Sequence, residues 1–227
     1  GRTVDKVFIA AGEIDRGLQR LAAEAKEAGA VVVPVDRRKL DAMSFTHAHQ
    51  GVIAQAAAHV YYSIDDILEE AASRGETPLI VICDELSDPH NLGAILRSAE
   101  CAGAHGVIIP KRRSVGLTAT VAKASAGAVE YMKVARVTNI STAIGELKEK
   151  GVWVFGTAAE GSIPMYQADL SGPTAIVIGN EGAGLSQLVR KNCDVMVNIP
   201  MRGRISSLNA SAAASILLYE ALRQRLG

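Results

Sequence analysis

The sequence is poor in the residues that build several common kinds of site. Only three cysteines occur in 227 residues, Cys83, Cys101 and Cys193, and none lies in a CxxC spacing. An odd, scattered set excludes a disulfide framework and a cysteine-built zinc centre, and it fits a reducing cytoplasm. Aromatic residues make up 4% of the chain, so Ala, Val and Ile must supply the core. No apolar run approaches the ~20 residues of a membrane span, and no secretory signal is visible. The chain begins at Gly1 rather than Met. Neither charge is in excess, with 24 Lys and Arg against 24 Asp and Glu. The uniformly basic composition of many nucleic-acid binders is therefore missing. Also missing are a G-x-G-x-x-G opening a helix directly after a strand and the Gly-Lys-Ser/Thr of a P-loop. A nicotinamide oxidoreductase and a P-loop nucleotide hydrolase drop out on those grounds. His47 and His49 form an H-x-H with no third ligand nearby in sequence, so no metal is expected.

Two regions meet near Ser73–Pro78, a polar stretch holding Gly and Pro. Residues 1–73 read as a small α/β module: strands at Val4–Ala10, Val31–Val35 and Val52–Ala58, a helix over Glu13–Ala28, and a connecting helix at Ile64–Ser73. Residues 74–227 carry a regular alternation. Short apolar strands are predicted at Leu79–Cys83, Gly106–Ile109, Tyr131–Val134, Val152–Thr157, Thr174–Ile178 and Val195–Ile199. Helices are predicted at about 91–102, 117–125, 141–150 and 184–192, and a long one at Leu208–Leu226. That rhythm predicts a parallel α/β sheet covered on both faces. Charge is divided as well. Residues 1–78 hold 9 basic and 12 acidic side chains, a balance of −3, and residues 79–227 hold the remaining 15 against 12, a balance of +3. Lys111–Arg113 and the Arg202-Gly-Arg204 loop are the local basic clusters, read either as solvated charge or as RNA phosphate contacts.

In such sheets ligands bind beyond the carboxyl ends of the strands. Those exits collect Asn, Ser and Gly: Asp84–Gly93, Gly156–Ala158, Gly179–Gly184 and Pro200–Asn209. Each polar residue there has an ordinary explanation. Asn91 can cap its helix, Arg97 can pair with Glu100, Ser207 can cap the last helix, and the glycines can make a tight turn. Ser207 and Asn209 would point ~200° apart on a regular helix, so they share a pocket only if the helix begins between them. The small-residue run Ala210–Ser215 reads as tight helix packing. The concentration of Asn, Arg, Glu and Ser at three separate exits is better explained by one site.

Three blocks make that site specific. Asn91-x-Gly93-x-x-x-Arg97, Ile178-Gly-Asn-Glu-Gly182, and Ile199-Pro-Met201 followed by Ser207-Leu-Asn209 resemble motifs 1, 2 and 3 of the SPOUT superfamily, TrmH (SpoU) branch. The first module, with His49-Gln-Gly51, is similar to the L30e-like substrate-binding domain of RlmB-type members, with its beginning expected to be incomplete. The resemblance implies a trefoil-knot α/β methyltransferase domain over 74–227. It implies S-adenosylmethionine as cofactor, a homodimer that completes each site, and RNA as partner, with a guanosine of 23S rRNA as the expected target. It also assigns positions. Gly179, Ile199 and Leu208 match cofactor-holding positions, with Thr157 in the same pocket. Arg97 matches the catalytic arginine, supported by Asn91, Glu181, Ser207 and Asn209. A guanidinium keeps its proton at neutral pH, so Arg97 is read as an RNA phosphate anchor that stabilises a developing alkoxide rather than as a base. A tRNA or antibiotic-resistance rRNA methyltransferase of the same family, or an RNA-binding assembly protein without catalysis, are the alternatives.

Overall fold

The computed structural model describes residues 4–11, 16–44, 49–56, 59–180 and 182–227. The chain forms two compact units, Gly1–Val60 and Tyr61–Gly227.

In the first unit, β1 (Val4–Ala10), α1 (Arg16–Glu27), β2 (Val31–Val35), α2 (Arg37–Met43) and β3 (Val52–Ala56) follow in order. The sheet order is β2-β1-β3, parallel between β1 and β2 and antiparallel between β1 and β3. Burial alternates along β1, with Asp5, Val7 and Ile9 facing inward, as a strand with one covered face requires. Helix α2 was not expected from the sequence. Its one apolar anchor is Leu40, fully buried, and Asp36 caps it by accepting from the Arg38 amide at 2.8 Å. One anchor in seven residues leaves no periodic signal. His49 uses both ring nitrogens locally: Nδ1 accepts from the Gly51 amide at 2.9 Å, and Nε2 donates to Asp41 at 3.0 Å. His47 lies outside the described residues, as do Glu13–Asp15 and Ala57–Ala58 at the predicted element ends.

The second unit opens with α3 (Ile64–Ser73), followed by β4 (Leu79–Cys83), α4 (Pro89–Cys101), β5 (Gly106–Pro110), α5 (Ala119–Ala124), β6 (Lys133–Val137), α6 (Ile140–Glu149), β7 (Trp153–Thr157), β8 (Ile163–Pro164), β9 (Thr174–Ile178), α7 (Gln187–Asn192), β10 (Val195–Asn198) and α8 (Ala210–Leu226). Helix α3 belongs here because Ile67 is fully buried against Gly106, where a Cβ would stand 2.5 Å from the Ile67 Cδ1. The units therefore divide ahead of α3 rather than at the polar stretch Ser73–Pro78. The seven strands run in the order β6-β5-β4-β9-β7-β10-β8, and every pairing is parallel. Strands β4, β5 and β9 are buried at all five positions, as strands covered on both faces must be. One core layer includes Leu92, Leu96 and Leu217 from α4 and α8, and the other includes Ile67, Ile144 and Leu147 from α3 and α6. Strand β6 starts later than its apolar run predicts. Ala128–Glu130 make a turn of 3₁₀ helix, and Tyr131 is 78% exposed.

Two helix starts fix the mouth of this sheet. Asp88 caps α4 by accepting from the His90 amide at 2.8 Å, and Pro89 occupies the first turn. Asn91 is therefore a buried residue inside the first turn and not the cap. Helix α8 starts at Ala210 and is capped by Asn209, whose Oδ1 accepts from the amides of Ser211 at 2.9 Å and Ala212 at 3.3 Å. The Asn209 Nδ2 donates to Asn91 Oδ1 at 2.9 Å. About two turns further along, the Ser98 and Ser215 hydroxyls meet at 2.7 Å. The far end of α8 is held by Arg225, which donates to the carbonyls of Thr77, Pro78, Leu170 and Gly172. Nearby, His105 is buried, with Nδ1 accepting from the Leu79 amide and Nε2 3.0 Å from Glu76.

Asn209→Ala removes a cap and the tie to Asn91 together. Urea unfolding is expected to show a loss of about 1–3 kcal/mol, against less than about 1 kcal/mol for Ser211→Ala. Burial holds the His105 pKa below its ordinary 6.5, outweighing the Glu76 bond and charge that act the other way. Its folded form thus binds fewer protons than its unfolded form. Stability is full above the unfolded value and falls as pH drops from about 6.5 toward the lowered folded pKa. The slope contributed is at most ~1.4 kcal/mol per pH unit. His105→Gln should flatten that part of the stability-pH curve.

Candidate functional site

The exits of β4, β9 and β10 come together. After β4, the buried Asp84 carboxylate accepts from the Ser186 amide at 2.9 Å. Glu85 follows in the left-handed region, φ 61°, and pairs with Arg113 at 3.2 Å. Its carbonyl accepts from Asn180 Nδ2 at 3.0 Å, which joins the β4 exit to the loop after β9. Asn180 also shapes its own loop. Its backbone exchanges two bonds with Gly184, at 2.9 and 3.1 Å, and its Oδ1 accepts from the amides of Gly182 and Ala183. Gly184 has φ 67°, a backbone state that favours glycine. Gly179 is needed for a different reason: a Cβ there would stand 2.6 Å from the Leu185 nitrogen. The loop is folded back onto it.

The exits of β7, β9 and β10 border a cleft of about 830 Å³. Thr157 and Glu160 reach it from the β7 exit, Ile178, Gly179 and Asn180 from β9, Arg190 from α7, Ile199, Met201, Ser207 and Leu208 from the β10 exit, and Leu217 from α8. Five of the nine residues singled out in the sequence thus line one cavity: Thr157, Gly179, Ile199, Ser207 and Leu208. Ser207 does not cap α8, and it and Asn209 both precede the first helical residue, Ala210. Asn91, Arg97 and Asn209 are not part of the lining among the described residues. Asn91 and Asn209 meet each other behind it. Glu181 lies outside the described residues. Arg97 is exposed on α4 and makes no ion pair or hydrogen bond with any described residue, so the Glu100 pair allowed by the spacing is not formed.

The cleft's chemistry narrows its ligands. Its walls mix aliphatic side chains with the peptide groups of glycine-rich turns, which suits a planar, partly apolar ring edged with hydrogen-bonding atoms. The Thr157 hydroxyl donates to the Val177 carbonyl at 2.9 Å and is left with acceptor capacity toward the cavity. Thiol chemistry is not available nearby. Burial, reinforced by the Asp84 charge, pushes Cys83 up to about 12, and burial first pushes Cys193 up to about 11. Among the described residues no group of three or more His, Cys, Asp or Glu is placed to hold a metal, and no helix is long and apolar enough to cross a membrane.

Asn180, Glu160 and Arg190 were not singled out in the sequence. Asn180 was hidden by the turn reading of its glycines, although an Asn that can accept from the backbone two residues on is itself a turn-building signal. Glu160 lies two residues beyond the part of the β7 exit that was read, and Arg190 sits in a short helix with no motif.

Comparisons with known proteins agree with this geometry. Residues 78–219 match the SpoU rRNA Methylase family, and residues 1–62 match the RNA 2′-O ribose methyltransferase substrate binding family. YacO of Bacillus subtilis, provisionally named a TrmH family tRNA/rRNA methyltransferase, is 47% identical over 99% of this chain and 90% of its own. The 23S rRNA (guanosine-2′-O-)-methyltransferase RlmB of Ralstonia nicotianae is 44% identical over 99% of this chain and 89% of its own. Among solved structures, the SpoU methyltransferase AviRb from Streptomyces viridochromogenes, in complex with the cofactor AdoMet, superposes with a TM-score of 0.66 at 27% identity, covering all of this chain and 85% of that one. With a matched family model over most of its length and relatives this similar, the chain belongs to the SpoU rRNA methylase family.

Proposed function

We propose that this protein is an S-adenosylmethionine-dependent RNA ribose 2′-O-methyltransferase acting on a guanosine of 23S rRNA. The observation that carries the reading is the cleft at the sheet mouth, walled by residues of motifs 2 and 3. The RlmB relatives, similar along nearly the whole chain, support the choice of rRNA and guanosine. The first unit, matched to a substrate-binding family, supplies a second RNA-contacting surface.

The residues fit the cofactor. Gly179 lets the loop after β9 fold back against the strand exit with no Cβ between them, and Ile199 and Leu208 supply apolar wall. When bound, S-adenosylmethionine supplies an activated methyl group. What the protein adds is placement of the acceptor ribose, because orientation alone can be worth ~7–11 kcal/mol of barrier. Arg97 takes an RNA phosphate through its guanidinium fork and stabilises negative charge developing on the 2′ oxygen. Asn91 and Asn209, tied to one another, hold α4 and the start of α8 in fixed relation beneath Ser207. Glu181 completes the polar set in this reading. The expected knotted path is supported by the strand order: the chain leaves β7, enters the sheet centre at β9, and returns beyond β7 at β10. A homodimer in the cytoplasm is part of the same proposal. Its support is exposed apolar surface near the cleft loop and on α8, where Ile205 is 76% and Tyr219 51% exposed.

Calorimetry with S-adenosylmethionine should show binding, and Gly179→Ala should weaken it at least about tenfold, since the new Cβ displaces the loop. Arg97→Lys should keep that affinity and lower methyl transfer to rRNA by about tenfold or more, because an ammonium lacks the planar fork. Full activity in Arg97→Lys would remove the guanidinium role. Mapping ribose methylation in rRNA and tRNA from cells with and without the gene decides the substrate. A site lost from tRNA and none from rRNA would overturn the 23S assignment.

A further inference from the structure

We infer, resting on the methyltransferase reading above, that Glu160 and Arg190 form a subsite for the zwitterionic amino-acid end of the methyl donor. Among the described residues lining the cleft, Arg190 is the one basic side chain and Glu160 the one acidic side chain. They adjoin: the Arg190 Nη2 donates to the Glu160 backbone carbonyl at 2.6 Å. That bond takes one N–H of the five in a guanidinium. No ion pair joins the two side chains, and the Glu160 carboxylate takes no hydrogen bond from any described residue.

The local backbone is arranged around this contact. Ser162 Oγ donates to the Ala158 carbonyl at 2.9 Å, and Asn198 Nδ2 reaches Ser162 Oγ at 3.0 Å, so the stretch carrying Glu160 is pinned on both sides. Gly161 has φ 61°, and a Cβ on it would stand 3.0 Å from Arg190 Nη2. A side chain there would crowd the guanidinium. The loop thus brings opposite charges to one cleft and leaves both available.

S-adenosylmethionine ends in a carboxylate and an ammonium on one carbon. A guanidinium fork matches the carboxylate, and a carboxylate matches the ammonium. The adenine and ribose need neither charge.

The test compares two ligands by calorimetry on the full chain: S-adenosylhomocysteine, and 5′-methylthioadenosine, which lacks the amino-acid end. Arg190→Gln is expected to weaken S-adenosylhomocysteine by about 10- to 100-fold and to leave 5′-methylthioadenosine within about 2-fold. Arg190→Lys should recover part of the loss. Glu160→Gln should weaken S-adenosylhomocysteine alone, by about 3- to 10-fold. Its exposed carboxylate makes no bond in the fold, so this variant keeps the test decisive if Arg190→Gln folds poorly. Equal loss of both ligands in the variants, or no loss of either, overturns the subsite. Equal affinity of the two ligands for the unaltered protein overturns the subsite alone. Failure of both to bind overturns the methyltransferase reading and the subsite with it.

Discussion

The bond between Asn209 and Asn91 is the constraint on which the mouth of the second unit depends. Asn209 caps α8 with its oxygen and reaches α4 with its nitrogen, so one side chain sets where the last helix begins and where it sits relative to the helix carrying Arg97. The cap satisfies amides that would otherwise lack partners. The cross-link joins residues 118 positions apart. Because the helix starts only at Ala210, Ser207 and Leu208 lie ahead of it and line the cleft.

A second layer of organisation lies one strand away. Asn180 closes the loop after β9 upon itself and fastens it to the carbonyl of Glu85, itself held in an unusual backbone state. Asp84 reaches past it to the amide of Ser186. The side chains of Asp84 and Asn180 are thus spent on backbone groups. This leaves peptide edges and aliphatic surface, rather than free carboxylates, as the wall of the cavity. The exceptions are Glu160 and Arg190.

Much of this was legible in the sequence because the signals were local and repeated. The central strands are continuous aliphatic runs, and β4, β9 and most of β5 lie where those runs fall. Two of the three motif blocks pointed to the cleft, through Gly179, Ile199, Ser207 and Leu208. What escaped had weak local signals or depended on tertiary contacts. Helix α2 has a single apolar anchor. Strand β8 is two residues long. The start of β6 is displaced because Tyr131 faces outward despite its β propensity. Asn91 looked like a cap because a cap and a buried first-turn partner use the same residue type, and only the position of Asp88 and Pro89 separates them. The placement of α3 depends on Ile67 filling the space above Gly106, a contact across 39 residues that no window along the chain contains.

From Met201 to Leu208, no hydrogen bond ties the loop to any described residue, and every side chain in it is exposed. Its two ends, by contrast, are anchored by β10 and by the α8 cap. A wall built this way is held at its ends and not along its length. Whatever settles against it must supply the freezing entropy, on the order of 1–2 kcal/mol for each backbone residue fixed. Affinity in this cavity therefore depends on the ordering of that span as well as on the groups that touch the guest.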